Sequence, residues 1–217
     1  TTEILSNTFI IDSTTPTLSI TNPSLFIAGG STYNINYSAY DLNGIASWNL
    51  SYSQDNGSSF APVQSSPSSP YAWNVPLDDT NDARIRLSAA DVAGNAIYTV
   101  STVFTVDSTP PAITLDNPPT WLQGGSTYNI NFSASDHNGI SSLNLEYSPD
   151  GITYSSLTTL NSSPFSWSVP VVDIPVNARL RLTAVDPAGN SSVLATTAFG
   201  IDSTNPSVSL DNMAAII

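Results

Sequence analysis

Cysteine and lysine are both absent from this 217-residue chain, because arginine supplies all four of its basic residues. Without thiols the chain can form no disulfide, no thiol nucleophile and no cysteine-ligated metal site. Without lysine it can form no isopeptide cross-link through a lysine amine. If the chain works outside a cell, its stiffness must therefore come from its apolar cores or from a bound metal ion.

Charged residues are scarce, and their balance is strongly acidic. They make up 10% of the sequence, and 17 acidic residues against four arginines give a formal net charge of −13. Nucleic acids and anionic membranes are bound by basic surfaces, so we expect no nucleic-acid partner. No apolar run is long enough to span a bilayer and no signal peptide is recognisable, so we expect no membrane insertion.

The residues that are abundant favour strands and turns. Hydrophobic residues account for 40% of the chain, which is enough for packed cores, and Ser, Thr, Asn, Gly and Pro fill much of the remainder. The length suits two domains of common size. All but two of the acidic residues are aspartate, which favours turns and is also a calcium ligand.

Long segments of the sequence recur at intervals of 95 residues. "FIIDSTTP" (9–16) returns as "FTVDSTPP" (104–111) and "FGIDSTNP" (199–206). "GGSTYNINYSAYDLNGI" (29–45) returns as "GGSTYNINFSASDHNGI" (124–140) with three differences. The chain begins inside this pattern, so we expect it to be a piece of a longer protein. The predicted boundaries are 1–11 for the end of a preceding repeat or an N-terminal strand, 12–106 for the first repeat, 107–201 for the second, and 202–217 for the start of a third repeat or a chain-end tail.

Apolar and polar residues alternate along each repeat, which predicts antiparallel strands with one buried face. The segments 33–39 and 85–89 show this period of two, and we expect residues 98–106 to keep one buried face without interruption. No stretch has a helical period. About seven short strands in 95 residues predict an all-β fold of two tandem immunoglobulin-like antiparallel β-sandwiches, with strands A to G in each.

Three motifs resemble those of tandem bacterial immunoglobulin-like domains from large extracellular adhesins and surface stalks. They are the leading "VDSTPP", the D-x-N-G-I loop and the A-x-D-x-A-G-N loop before the last strand. The resemblance implies an extracellular or cell-surface protein whose repeats act as a structural spacer, with adjacent immunoglobulin-like repeats as partners. Two alternatives stay open: a module that binds a host or surface glycan or protein, and an accessory region of a secreted hydrolase.

The predicted topology places three segments at the same pole of each sandwich. They are the leading segment, the D-x-N-G-I loop between strands B and C, and the D-x-A-G-N loop between strands F and G. Carboxylate and amide oxygens are calcium ligands. Three carboxylates that meet without a cation would also raise one another's pKa values. The candidate calcium ligands are Asp12, Asp41, Asn43, Asp91 and Asn95 in the first repeat and Asp107, Asp136, Asn138, Asp186 and Asn190 in the second.

Two interpretations of these poles stay open at this point. The D-x-N-G and D-x-A-G-N loops are good turns without any ion, because glycine accepts a positive φ and aspartate binds its own backbone. By resemblance to calcium-dependent adhesin stalks, calcium would instead stiffen the junction near Asp107. The loop is not an EF-hand, because its glycine comes too early and the twelfth position holds Tyr52 or Tyr147.

We interpret the tryptophans outside the poles first as structural residues. Trp73 and Trp167 occupy matching positions, and we expect both in the cores. Trp121 lies in a proline-rich segment where the first repeat has Phe26. We expect its ring to cover a satellite of the core, and the alternative is an exposed ring that stacks on a sugar.

Arginines 84, 86, 179 and 181 project outward from one strand in each repeat. We expect them to pair with acids or aromatics on the neighbouring strand, with Glu146 as one candidate, and the alternative is a clamp for an acidic ligand. Asp55 and Asp150 lie in segments that resemble the Asp-box turn of sialidase propellers, and we expect them to brace hairpins.

We expect no enzymatic activity. The one histidine, His137, corresponds to Leu42 of the other repeat, so the repeat does not require it. No placed base accompanies the many serines. Asp78 and Asp79 are adjacent and point to opposite sides of an extended chain, so they are not a glycosidase pair.

Overall fold

The computed structural model of the chain describes residues 2–209, so part of the predicted third repeat or tail lies outside the described residues. Between these limits the chain forms twenty β-strands and no helix, which confirms the all-β prediction. No helix that could cross a membrane is found in this part of the chain. The described residues divide into two compact units, one reaching Thr109 and including Ala188–Asn190, the other comprising Pro110–Pro187 and the residues from Ser191 onward.

The first unit contains ten strands, and residues 2–16 before them belong to no strand. The strands are β1 (Thr17–Ile20), β2 (Phe26–Ala28), β3 (Thr32–Ile35), β4 (Tyr37–Tyr40), β5 (Ile45–Ser53), β6 (Ala61–Ser65), β7 (Tyr71–Asn74), β8 (Thr80–Asp91), β9 (Ala96–Val100) and β10 (Phe104–Asp107).

The second unit repeats the same ten strands. They are β11 (Ala112–Leu115), β12 (Trp121–Gln123), β13 (Thr127–Ile130), β14 (Phe132–Ser135), β15 (Ser142–Ser148), β16 (Ser155–Thr159), β17 (Phe165–Ser168), β18 (Ile174–Val185), β19 (Ser191–Ala195) and β20 (Phe199–Asp202). The predicted sequence boundaries of the repeats stay predictions.

Each unit is an immunoglobulin-like sandwich of two sheets. In the first, one layer consists of two separate two-stranded ladders, β1–β4 and β3–β7, and Asn36 alone separates β3 from β4 along the chain. The other sheet has the order β2-β10-β8-β5-β6, with β9 also paired to β8. Strands β3 and β4 together are strand B of the predicted topology, β5 is strand C, β8 is strand F, and β9 and β10 are strand G. The second unit has the same order from β11 to β20.

A tryptophan occupies the centre of each core, as predicted. Trp73 lies 5.0 Å from Tyr52 and 6.5 Å from Phe104, measured between ring centroids. Trp167 repeats this packing in the second domain. Aliphatic residues from both sheets complete the first core: Ile27, Ile35, Leu50, Val75, Ile85, Leu87 and Val106.

The prediction of one uninterrupted buried face over residues 98–106 is wrong. Strand β9 ends at Val100 and β10 begins at Phe104, and Tyr98 is 64% exposed whereas Phe104 is buried. Ser101 lies in the break and is buried, and its hydroxyl accepts a hydrogen bond from the backbone N–H of Ile85 at 3.0 Å. After the break strand G has a second partner, because β9 pairs with β8 alone whereas β10 pairs with both β8 and β2.

Candidate metal centre

Three loops of the first domain bring their aspartates together at one pole, as the topology predicts. Asp12 precedes β1, Asp41 follows β4, and Asp91 is the last residue of β8. Each offers a carboxylate oxygen, and these atoms all lie within 4.8 Å of one another. Asp91 is buried, and the other two are half-buried.

Each carboxylate is held by the turn in which it lies. Oδ1 of Asp41 accepts the backbone N–H of Asn43 at 2.8 Å. Oδ1 of Asp91 accepts the backbone N–H groups of Ala93 and Asn95 at 2.8 and 2.9 Å. The glycines of the two loops have φ values of +101° and +94°, a backbone region that glycine adopts readily. The prediction that both loops are well-formed turns is therefore confirmed.

The side chains of two asparagines connect the three aspartates. The amide of Asn43 donates to Oδ2 of Asp12 at 2.9 Å. The amide of Asn95 donates to Oδ2 of Asp91 at 2.8 Å and to the backbone carbonyl of Asp12 at 3.2 Å. In this arrangement amide N–H groups satisfy part of the negative charge. A half-turn of each amide would present its oxygen instead, so the same five residues also offer carboxylate, amide and carbonyl oxygens of the kind that calcium takes.

The expectation of a raised pKa is wrong for Asp12. The pKa of its carboxyl lies below the ordinary value, because the hydroxyl and backbone N–H of Thr14 and the amide of Asn43 donate hydrogen bonds to it. These donors stabilise the ionised form more than desolvation opposes it. Asp12 is therefore charged at neutral pH, which is the state that a cation requires.

The five corresponding residues of the second repeat are distributed over both units. In the first unit, Asp107 ends β10 and is buried, and the amide of Asn190 donates to its backbone carbonyl at 2.9 Å. In the second unit, carboxylate oxygens of Asp136 and Asp186 lie within 4.8 Å of each other. Oδ1 of Asp136 accepts the backbone N–H of Asn138 at 2.7 Å, which repeats the turn of the first domain.

The leading dipeptide Ser108–Thr109 of the second repeat has an aspartate partner that was not predicted from the sequence. Oδ1 of Asp79 accepts the backbone N–H of Ser108 at 2.7 Å, and Oδ2 accepts the hydroxyl of Thr109 at 2.8 Å. Asp173 holds Ser203 and Thr204 in the same way in the second unit. The recurrence of one aspartate in both repeats, next to a conspicuous D-S-T motif, is the signal that could have identified this contact.

Trp121 is only partly packed. Its ring is 54% exposed, and a Cβ atom placed on Gly200 of the paired strand would lie 2.4 Å from it. One face of the ring therefore covers the Gly200 backbone, which agrees with the prediction that Trp121 covers a satellite of the core. Sugar stacking on the other face stays a prediction.

The predicted hairpin role of Asp55 and Asp150 agrees with the structure. Asp55 joins β5 to β6, and its carboxylate accepts hydrogen bonds from the hydroxyls of Ser53 and Ser59 and from the Ser59 backbone. Asp150 accepts from the backbone of Ile152 and Thr153 and from a serine hydroxyl. These donors lower the pKa of each aspartate to about 2 from an ordinary 3.8.

Asparagine at position 55 is expected to destabilise the first domain at neutral pH but not near pH 2. Because the folded pKa of Asp55 is lowered, its contribution is present above the unfolded value of 3.8 and is lost as the pH falls through about 2. Urea midpoints of the wild type and Asp55→Asn should therefore converge as the solution is acidified. Asp82→Asn, at an exposed position, is the control. A wild-type advantage that is independent of pH would contradict the assignment.

No protein-family model matches this chain, and no curated protein matches it. Solved structures do. The fibronectin(III)-like modules of Clostridium thermocellum CbhA are 15% identical, with a TM-score of 0.49 over 91% of this chain and 100% of that one. A tetra-tandem repeat from the extending region of a large adhesion protein is 17% identical, with a TM-score of 0.39 over 87% of this chain and 50% of that one. Titin domains A168–A170 are 8% identical, with a TM-score of 0.48 over 87% and 65%. At these identities the comparisons concern the fold alone.

Proposed function

We propose that this chain is a mechanical spacer of a bacterial extracellular, adhesin-like protein, in which tandem immunoglobulin-like domains hold other parts of the protein at a distance. The observation that carries this proposal is the parallel pairing of a strand near the start of each domain with the strand at its end. In the first domain β2 pairs with β10, and in the second β12 pairs with β20.

This pairing resists tension because of its direction. Strand β2 pairs with β10 through Thr105↔Phe26 and Asp107↔Ala28, and backbone bonds of 2.8 and 2.9 Å lie at its two ends. A spacer is pulled at its first and last residues. In a parallel pair that pull slides one strand along the other, so several hydrogen bonds must break together. In an antiparallel hairpin pulled at its open end, they break one after another.

The second domain has the same arrangement despite its different side chains. Trp121 lies opposite Gly200 and Gln123 opposite Asp202, and backbone bonds of 2.7 and 2.9 Å flank the pair. The parallel pairing is preserved although Trp121 stands in place of Phe26 and Gly200 in place of Thr105. It therefore depends on the backbone and not on these side chains. The chain has no cysteine and no lysine, so these domains would resist force without a disulfide or a lysine isopeptide cross-link.

Calcium at the aspartate pole of the first domain is the second part of the proposal. The support is the set of three carboxylates from three separate loops, which a cation would tie to one another. Calcium would supply positive charge at this pole and hold the leading segment at Asp12 to the loops at Asp41 and Asp91. Stiffening of the junction near Asp107 stays a prediction of the sequence.

Single-molecule pulling of the intact chain tests the spacer role. We expect two unfolding events that each release roughly 30 nm, the extended length of about 95 residues at ~3.3 Å per residue. The chain has no cysteine, so introduced cysteines are unique attachment points. Pulling the first domain between Ser47→Cys and Ser65→Cys, which opens the β5–β6 hairpin, should require less force than end-to-end pulling. Equal forces in the two directions would overturn the mechanical role.

A further inference from the structure

The outer face of strands β5, β8 and β9 in the first domain carries an arginine without an acidic partner. Arg86 of β8 lies opposite Ser51 of β5 and Val100 of β9. Its guanidinium lies 4.2 Å from the ring centroid of Phe60 and 5.8 Å from that of Tyr98. An arginine is attracted to aromatic faces of this kind, so its orientation is set before any ligand arrives.

The corresponding arginine of the second domain shows which chemical group this position of the fold can bind. Arg181 lies opposite Glu146 of β15 and binds its carboxylate through two hydrogen bonds of 2.6 and 2.9 Å. The same guanidinium lies 4.0 Å from the Tyr154 ring centroid. The fold thus presents a guanidinium with its face on an aromatic ring and its edge on a carboxylate, a strong and geometrically specific pairing.

The first domain keeps every part of this arrangement except the carboxylate. Ser51 occupies the position of Glu146, 95 residues earlier. Within residues 2–209, Arg86 makes no ion pair, and its Nε atom is buried with no hydrogen-bond acceptor. Ser51 therefore leaves the guanidinium charge without a counter-charge, and a carboxylate bound to the guanidinium would supply one. Arg84, two residues away on the same face, adds a second positive charge without an ion pair in this range.

A depression of about 300 Å³ lies beside Tyr98, one of the two aromatic neighbours of Arg86. Its lining consists mostly of small or polar side chains together with Tyr98, which is an exposed residue. The second repeat has the larger Thr183 and Val185 at the positions of Ser88 and Ala90. A few polar groups around an aromatic wall, at the lower end of the size range of ligand sites, suit a single sugar ring. The lining of the depression includes Ser47, Asn49, Ser88, Ala90, Ala96 and Tyr98.

We propose that this face of the first domain binds the uronic acid residue of an acidic glycan. The sugar carboxylate binds the terminal N–H groups of the Arg86 guanidinium, because Nε is buried and cannot be reached from solvent. The sugar ring lies over the depression against Tyr98, with its hydroxyls near Asn49 and Ser88. The site does not depend on the spacer role or on calcium, since it uses other residues on a different part of the domain.

Titration of the intact chain with glucuronate, followed by amide and arginine side-chain NMR signals, tests the proposal. We expect saturable shifts at Arg86, Ser88 and Tyr98, and binding at least about tenfold weaker in Arg86→Gln. Ser51→Glu copies the second domain into the first and should abolish binding, because an internal carboxylate then occupies the guanidinium. Glu146→Ser should release Arg181 and make it respond to glucuronate.

Three results would overturn the proposal. Unchanged glucuronate binding in Ser51→Glu, with the spectrum of a folded domain, would exclude Arg86 as the carboxylate site. Glucose binding as tightly as glucuronate would exclude recognition of the charge. Acetate binding as tightly as glucuronate would exclude recognition of the sugar ring. The Arg181→Gln variant is the matched control, since its guanidinium is already paired and its loss should leave glucuronate binding unchanged.

Discussion

Replacement of Trp167 by alanine is expected to lower the free energy of unfolding of the second domain by about 3–5 kcal/mol. Trp167 is 5% exposed, and its ring packs against Tyr147 and Phe199 with centroid distances of 5.2 and 6.3 Å. No neighbouring element can move into the space of an indole between two hydrogen-bonded sheets, so the variant would contain a cavity. Since a domain of this size is stable by only about 5–15 kcal/mol, a large fraction of its stability would be lost.

Trp121→Ala is the matched control, because it removes the same side chain from the same domain. Trp121 is half exposed and covers the Gly200 backbone on one side of its ring, so we expect a loss of about 1 kcal/mol or less. Calorimetry of the whole chain should resolve the two domains, with one transition shifted and the other in place. Equal losses for Trp121→Ala and Trp167→Ala would contradict the assignment of Trp167 to the core centre.

The cores could be predicted because alternation and repetition gave independent evidence. Trp73 and Trp167 recur in equivalent alternating segments, and such a position is seldom exposed in both copies. The break in strand G was missed for a physical reason. Residues 98–106 alternate without a gap in sequence, but Ser101 and Thr196 turn their hydroxyls to buried backbone N–H groups of the neighbouring strand. A serine or threonine in an alternating run does not reveal whether its hydroxyl faces water or a backbone donor.

The candidate metal site, like the fold, could be predicted only in part from the sequence. Chain topology alone places Asp12, Asp41 and Asp91 at one pole, so their meeting could be predicted without coordinates. The role of Asn43 and Asn95 as donors between the aspartates could not, since an amide presents either its oxygen or its nitrogen at similar cost. The pKa of Asp12 was predicted in the wrong direction because local donors, chiefly Thr14, act at shorter range than the neighbouring carboxylates.

Calcium is expected to raise the melting temperature of the first domain by about 10 °C or more. Extracellular calcium modules bind with dissociation constants of about 10⁻⁴–10⁻³ M. At about 10 mM calcium, a site at the tighter end of this range is nearly saturated, and binding to the folded state alone adds about 2.7 kcal/mol. For a domain of roughly 100 residues, each 1 kcal/mol corresponds to about 4–8 °C. Calorimetry in EDTA and in calcium measures the difference directly.

The Asp41→Asn variant distinguishes two possible roles of Asp41, that of a metal ligand and that of a residue that only shapes a turn. The asparagine keeps an acceptor for the Asn43 backbone N–H but removes one of the three carboxylate charges. If calcium binds at this pole, the variant should be as stable as the wild type in EDTA, or more stable because repulsion is relieved, and clearly less stable in calcium. Asp55→Asn, in a hairpin with its own donors, should lose the same stability in both solutions. If Asp41 only shapes the turn, Asp41→Asn will lose the same stability in EDTA and in calcium, as Asp55→Asn does. A calcium response that is the same in the wild type and in Asp41→Asn would exclude the ion from this pole.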